Sequence, residues 1–350
     1  MFTKLTIRAD RHPEIRAACV ALLTVAAPAL ILAATPLHAQ PPNHARGFEP
    51  RNTFELGDLE HVNLFNGNLT LTIPIGPSYP VGPELSYQLL LTYTGNVWEW
   101  EEICPDHPDT STCYLQALPR LRSNAGLGWE LGFGRMLRAD DVANPSELPA
   151  YAGSDQSSHG LHDEILHPGQ QSFTGVRFTQ DGTYLRSDLD GRTLELPDGT
   201  VRSFDASGRL TRIEDPFGHD VEIDYDPSPD HPGIDDWRIE DAHGRVHRVR
   251  FEPAPYYGAV VSSVELEAFG GATATYDFGY SSKALHRACN RPLSSGNTGA
   301  VTVPLLTRIA LPEGLAFRIP VTEVRTGSGT CIERSTNGLP GRLDLPTGGA

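Results

Sequence analysis

The chain of 350 residues contains 34 glycines and 29 prolines, which argues against a helical bundle or a coiled coil because both residues interrupt helices. Its hydrophobic content of 39% excludes a broadly disordered chain, and its length permits one large or two ordinary domains. The formal net charge of −16 has the wrong sign for contacts with nucleic-acid phosphates, so we expect no nucleic-acid partner.

The first 39 residues have the organisation of a secretory signal peptide. Basic residues precede an apolar run from Ala17 to Ala34, and small residues follow up to Ala39. We predict cleavage after Ala39 and export to the periplasm, the cell surface or the extracellular space, with no membrane contact after cleavage. An uncleaved anchor is the alternative, although a run of 18 residues is marginal for a membrane span and Pro28 interrupts it.

Cysteine usage agrees with export. Four cysteines remain outside the signal peptide, and an even number favours disulfides in an exported chain. Three pairings are possible. We favour Cys104–Cys113, which brackets a short insert, together with Cys289–Cys331, which leaves no long-range crossing. A zinc site is the alternative, but the close C-x-x-C pairs typical of zinc sites are absent.

The rest of the chain alternates between strand-like segments and turn residues, which predicts an all-β protein with almost no helix after the signal peptide. Leu69–Ile73 and Tyr87–Tyr93 show the period-two alternation of half-buried strands. Between 176 and 251, five of six turn glycines are spaced by eight to ten residues, which predicts a long antiparallel meander of hairpins. We also expect a strand at Asp236–Glu240 and a short helical turn near Ser282–Arg287.

Turns and loops are predicted from composition. Asp181-Gly182, Asp190-Gly191 and Asp198-Gly199 are typical hairpin-turn pairs, because glycine accepts positive φ and aspartate tolerates the turn. Residues 99–124 and 140–172 are polar and less periodic, so we interpret them as loops or insertions on a β framework.

An ordered set of motifs from about residue 60 onward resembles the bacterial RHS, or YD-repeat, family in the N-terminal part of its β-shell region. Gly126-Leu127-Gly128-Trp129 is the sharpest of them and is similar to the family's glycine–tryptophan signature. Phe204–Leu210 and Asp241–Arg245 each resemble a YD-type unit. The resemblance assigns structural roles to Gly126, Gly128, Trp129, Asp181, Gly182, Gly208 and Gly244.

The resemblance implies a β-strip that spirals into a partial hollow shell around a C-terminal toxin or effector. Shell formation needs no catalytic residue and no cofactor, and the implied partners are the remainder of the shell and its toxin cargo. A carbohydrate- or surface-binding β module of the cell envelope, with surface glycans as partners, is the alternative. Leu345–Ala350 resembles a family turn that leads into another strand, so we expect a truncated chain without the closing core and the toxin.

This interpretation divides the chain into four segments. Residues 1–39 form the signal peptide and 40–59 an irregular N-terminal segment. Residues 60–175 form a first RHS-like β region with loop insertions, and 176–350 form the hairpin strip, incomplete at its C-terminus.

Three clusters invite a chemical interpretation. His159, His162 and His167 are the best metal candidates and the basis of a third hypothesis, a metal-dependent hydrolase. Their spacing is not that of a helical H-E-x-x-H site, so we favour a solvated strand and loop. Asp224 and Asp226 begin like a calcium loop, but the glycine at the sharp turn and the terminal glutamate are missing, and Asp230 does not replace them.

The third cluster consists of Glu99, Glu101 and Glu102 beside Trp98 and Trp100, which could imitate a glycosidase cleft. We interpret it as an acidic loop. Trp129 and Tyr184 are interpreted as core or sheet-face aromatics. We therefore predict no catalytic, cofactor or metal site.

Overall fold

A computed structural model describes much of the chain beyond residue 52. Over the described residues the fold is all β, with one 3-10 turn at Phe269–Gly271 and no α-helix, so the predicted fold class is confirmed. The predicted signal peptide, both cysteine pairs and His167 lie outside the described residues. Those residues are 53–55, 59–63, 68–103, 114–120, 122–137, 149–162, 175–285, 301–320, 324–326, 333–335 and 343–346.

A five-stranded antiparallel sheet contains most of the N-terminal strands. Its order is β1 (Thr53–Glu55), β2 (Glu60–Asn63), β3 (Leu69–Pro80), β4 (Ser86–Thr94) and β7 (Trp129–Gly132). Two separate hairpins pair β5 (Trp98–Ile103) with β6 (Tyr114–Pro119), and β23 (Val324–Thr326) with β24 (Glu333–Ser335).

Fifteen further strands form one antiparallel sheet, here called the long sheet, in which every strand pairs with its neighbours in sequence. This order confirms the predicted meander. The long sheet also begins at Arg135, well before the regular glycine spacing. Its strands are β8 (Arg135–Leu137), β9 (Ala150–Ala152), β10 (Ser158–His162), β11 (Val176–Thr179), β12 (Arg186–Asp188), β13 (Thr193–Glu195), β14 (Val201–Phe204), β15 (Leu210–Glu214), β16 (Asp220–Pro227), β17 (Asp235–Asp241), β18 (Val246–Ala254), β19 (Gly258–Glu267), β20 (Thr273–Leu285), β21 (Val301–Ala310) and β22 (Ala316–Arg318).

Because neighbouring strands run antiparallel, successive connections lie alternately at the two ends of the strands, and so form two opposite rows of turns. We call each row an edge of the long sheet. The connections β9–β10, β11–β12, β13–β14, β15–β16, β17–β18, β19–β20 and β21–β22 form what we call the front edge. The opposite edge is the back edge.

The two faces of the long sheet differ in chemistry because side chains alternate along each strand. Val221 and Ile223 of β16 are buried and join one hydrophobic core with Ile73 and Leu91 of the five-stranded sheet. The opposite face carries ion pairs between strands, such as Arg238 with an exposed carboxylate of β16. The long sheet therefore packs one face against the five-stranded sheet and presents a charged face to solvent.

The Gly126–Trp129 signature joins the two sheets. Gly126 has φ +91°, and a Cβ there would lie 2.9 Å from the backbone nitrogen of Leu306 in β21. The neighbouring Leu127 N–H donates to the carbonyl of Pro304 at 2.9 Å. Trp129 is 2% exposed, which confirms it as a core aromatic. Close backbone approach and positive φ are thus the physical reasons for glycine in this turn.

Several local expectations were wrong. The segment that we expected to turn into a helix near Ser282 continues strand β20 to Leu285, because it pairs with Val301–Pro304 of β21. Parts of 99–124 and 140–172, which we interpreted as loops or insertions, form strands: β5 and β6 are an inserted hairpin, whereas β9 and β10 belong to the long sheet. Pairing with a neighbouring strand overrides weak local periodicity in these segments.

Two turn residues also differ from expectation. Tyr184, expected in the core or on a sheet face, is 79% exposed because it lies in the β11–β12 turn with φ +55°. At the β12–β13 turn the positive φ of +54° falls on Arg192 and not on Gly191.

Candidate binding edge of the long sheet

Three hairpin turns share the pattern Asp-x-x-Gly followed by arginine or histidine: Asp205–Arg209, Asp215–His219 and Asp241–Arg245. In each turn, Oδ1 of the aspartate accepts the N–H groups of the second and fourth following residues. Oδ2 accepts a side-chain N–H of the fourth residue at 2.7, 2.9 and 2.7 Å, respectively. One carboxylate thus satisfies the donors of a whole turn.

The same geometry sets the charge of these aspartates. Burial alone would raise the pKa of each carboxyl group, but the hydrogen bonds that it accepts outweigh burial and hold the pKa below its usual value. The turn glycines have φ of +77°, +85° and +76°. The Asp-x-x-Gly turn therefore satisfies its own hydrogen bonds, and it is found at both the front edge and the back edge of the sheet.

The turn at Asp241 lies at the front edge and anchors the β3–β4 hairpin. Tyr87 donates a hydrogen bond to Asp241 Oδ2 at 3.0 Å, beside the 2.7 Å bond from Arg245 Nε. Arg245 Nη2 also donates to the carbonyl of Pro80. Tyr79 donates to the Glu267 carbonyl at 3.0 Å. These contacts connect the five-stranded sheet to the long sheet through a buried polar cluster.

His247 lies inside this cluster and is 1% exposed. Its Nδ1 accepts the N–H of Glu267 at 2.9 Å, and its ring centroid lies 4.4 Å from that of Tyr79. Nε2 has no hydrogen-bond partner among the described residues. Burial lowers the pKa of His247 below the ordinary histidine value and keeps the ring neutral.

An open groove of about 370 Å³ lies above the cluster at the front edge. Three aromatic rings, one arginine and one carboxylate supply its chemistry. The ring of Phe269 is completely exposed, whereas Tyr79 is 8% exposed. The lining residues are Pro77, Tyr79, Arg245, Leu266, Glu267, Ala268, Phe269, Ala274 and Tyr276.

The groove belongs to a longer row of exposed apolar side chains. Four large hydrophobic residues are exposed in the part of the chain that the structure describes, and every one lies in a front-edge connection. They are Tyr184 in β11–β12, Phe217 in β15–β16, Phe269 in β19–β20 and Leu315 in β21–β22.

His159, one of the weak metal candidates, belongs to a hydrogen-bonded constellation of a different kind. His159 Nδ1 lies 2.6 Å from Asp181 Oδ2, and His159 Nε2 lies 2.8 Å from Ser157 Oγ, which is the connectivity of a Ser-His-Asp relay. Ser157 Oγ also lies 2.6 Å from Asp155 Oδ1. Although burial opposes it, hydrogen bonds from Thr183 and His159 lower the pKa of Asp181.

The surroundings of Ser157 favour a structural role. The residue is 4% exposed, and its N–H is already donated to Asp155. The N–H of Gln156 is donated to Gly153. The N–H groups of Gln156 and Ser157 are therefore engaged and cannot stabilise an oxyanion. The relay holds the β9–β10 turn against the β11–β12 turn.

The other predicted clusters are not brought together. His159 and His162 lie on opposite faces of β10, and no group of three or more His, Cys, Asp or Glu residues within the described ranges could hold a metal ion. Asp224 pairs with Arg238 on the charged face. Asp226 lies opposite Asp236 on that face, and Asp230 is exposed in the β16–β17 connection.

Trp98 packs against the core, whereas the side chains at 99–102 lie outside the described part. Within the described ranges, no helix is long and apolar enough to cross a membrane.

No protein-family model matches the sequence, and no curated protein matches it.

Proposed function

We propose that this chain is a non-enzymatic wall segment of an exported RHS-like shell, with the remainder of the shell and its toxin cargo as partners. The observation that supports this proposal is the sequence-ordered meander of fifteen strands. Hairpins with the Asp-x-x-Gly turn add strands by the same contacts each time, so the sheet is extended without a new kind of interaction. Gly126, Gly128, Gly182, Gly208 and Gly244 all have positive φ, which supports the turn roles that the resemblance implies for them.

The DNA beyond the Ala350 codon tests the shell proposal. We expect the reading frame to continue into further glycine-spaced strands and a variable C-terminal domain. A stop codon at that position, with no further strands, would contradict a shell and leave surface binding as the function.

Export is tested on the secreted protein. We expect a mature N-terminus at Gln40 and no free thiol in the denatured, unreduced chain, because the cysteines form disulfides. Residues 1–39 retained in a membrane fraction, or reactive thiols at Cys104, Cys113, Cys289 and Cys331, would contradict export with disulfide formation.

A second candidate function is surface binding, and the front-edge groove favours it. An open groove with exposed aromatic rings and a few charged groups is a suitable site for a small polar ligand with apolar faces. Binding of surface glycans by the soluble protein would support this function.

A further inference from the structure

The three exposed aromatic residues of the front edge lie at equal intervals of four strands. Neighbouring strands lie about 4.8 Å apart, so hairpin tips separated by four strands are about 19 Å apart. This separation applies from Tyr184 to Phe217 and again from Phe217 to Phe269. Leu315 follows two strands later, after about 10 Å. A ligand that touches several tips must therefore be long.

The twist of the sheet argues against a flat partner. Adjacent strands rotate by about 20–25°, so tips four strands apart differ in direction by about 80–100°. A membrane or a flat protein surface would reach one or two tips only. A flexible linear polymer can follow the row as it winds.

The charge of the edge argues against a polyanion. The chain has a formal net charge of −16, and exposed carboxylates such as Asp198 and Glu313 lie in front-edge turns. Nucleic acids, anionic glycans and acidic lipids would be repelled. A polyanion is therefore excluded. The groove itself contains one cationic and one anionic side chain, Arg245 and Glu267, and this balance favours an uncharged polymer.

The backbone of the tips argues against an extended peptide. Peptides bind sheets by pairing with open backbone groups. At the tips these groups are engaged: Phe217 N–H binds Asp215, Ala268 N–H binds Ala272, and Leu311 N–H binds Leu315. The groups that remain available at the tips are aromatic side chains, and these stack on the apolar faces of other rings.

We propose that the front edge is a binding track for a linear, uncharged polysaccharide, anchored in the groove at Phe269 and continued over Phe217 and Tyr184. This inference rests on the surface-binding function proposed above. Sugar rings stack on the exposed aromatics, while Arg245 and Glu267 in the groove bind hydroxyl groups.

The full exported chain is screened against an array of uncharged and anionic glycans, with neutral phospholipid vesicles and a peptide library in parallel. The strongest uncharged binder is then titrated calorimetrically as oligomers of increasing length. We expect affinity to rise once an oligomer spans about 19 Å, the distance between neighbouring aromatic tips.

Single-ring variants identify the track. Phe217→Ser and Tyr184→Ser should each weaken binding of the long polymer by about two- to tenfold, and Phe269→Ser should weaken both short and long oligomers. Asp230→Ser, in an exposed back-edge loop, is the matched control and should leave affinity unchanged. All three rings are exposed, so circular dichroism and urea unfolding should match those of the wild type.

The possible results distinguish failure of the polysaccharide track from failure of the surface-binding function. Affinity that is independent of length and lost only in Phe269→Ser overturns the track but keeps the groove as a binding site. Binding of anionic glycans, vesicles or peptides alone overturns the uncharged-polysaccharide track but leaves surface binding as a function, whereas the absence of any binding overturns both.

Discussion

The hydroxyl group of Tyr87 donates a 3.0 Å hydrogen bond to Asp241 across 154 positions of sequence. This bond connects a strand of the five-stranded sheet to a turn of the long sheet. Asp241 Oδ2 also accepts a hydrogen bond from Arg245 Nε, so the phenol and a cation share the same oxygen. The carboxylate is buried, so the loss of any one of its hydrogen-bond partners should lower the stability of the fold.

Tyr87→Phe removes this hydrogen bond with little change of volume. We expect the free energy of unfolding in urea to fall by about 1–2 kcal/mol, because a bond to a buried charged group is lost. Tyr93→Phe is the matched control, since the Tyr93 hydroxyl is buried without a partner among the described residues. That variant should be neutral or slightly more stable. Equal losses in the two variants would contradict a specific role for the Tyr87 bond.

Two turn glycines with nearly the same φ differ in their surroundings. A Cβ at Gly208 would lie 2.1 Å from the Met136 carbonyl oxygen, whereas a Cβ at Gly244 would meet nothing within 4 Å. We expect Gly244→Ala to lower the free energy of unfolding by about 1–2 kcal/mol through backbone strain alone. Gly208→Ala should lower the free energy of unfolding clearly more, because strand β8 must also move away from the β14–β15 turn. Similar urea midpoints for the two variants would show that the contact with Met136 is unimportant.

The meander could be predicted because each hairpin is specified locally. Alternating residues such as Val221 and Ile223, followed by a turn glycine, determine a strand and its end without reference to distant parts. The joining of the two sheets could not be predicted in this way. Nothing near Tyr87 in sequence indicates that its partner is Asp241, because that contact depends on how the sheets pack.

The site residues also differ in whether their role depends on local sequence or on contacts between distant segments. Gly208 and Gly244 were predicted because positive φ is a local property. The environment of His159 could not be predicted, since its partner is Asp181, 22 residues away in the next hairpin. The exposed row had a usable signal: Phe217 and Phe269 each immediately precede a turn glycine, a position outside the alternation of a strand.

Stability should depend on pH through His247. Its pKa is lowered in the folded protein by burial, with Arg245 opposing and Asp241 and Glu267 favouring protonation. The unfolded chain therefore binds a proton first, and stability that is complete above about pH 6.5 is lost as the pH falls below that value.

Urea unfolding between pH 8 and pH 5 measures the effect. His247→Gln keeps an oxygen that can accept the Glu267 N–H but does not titrate, so its stability should fall less than that of the wild type. His243→Gln, at an exposed position of the adjacent turn, should follow the wild-type profile. A His247→Gln profile as steep as the wild type would assign the acid sensitivity to other groups.

The Ser157–His159–Asp181 relay provides the sharpest test of a hydrolase. Because Ser157 is buried and the backbone donors beside it are engaged, we expect no covalent labelling by a fluorophosphonate probe. Ser157→Ala should instead lower the free energy of unfolding by about 1 kcal/mol, since both Asp155 and His159 lose a partner. Ser158→Ala is the neighbouring control, because the Ser158 hydroxyl has no partner among the described residues, and it should leave stability unchanged. Labelling of wild-type Ser157 that disappears in His159→Gln would establish a nucleophile and overturn the structural interpretation of the relay.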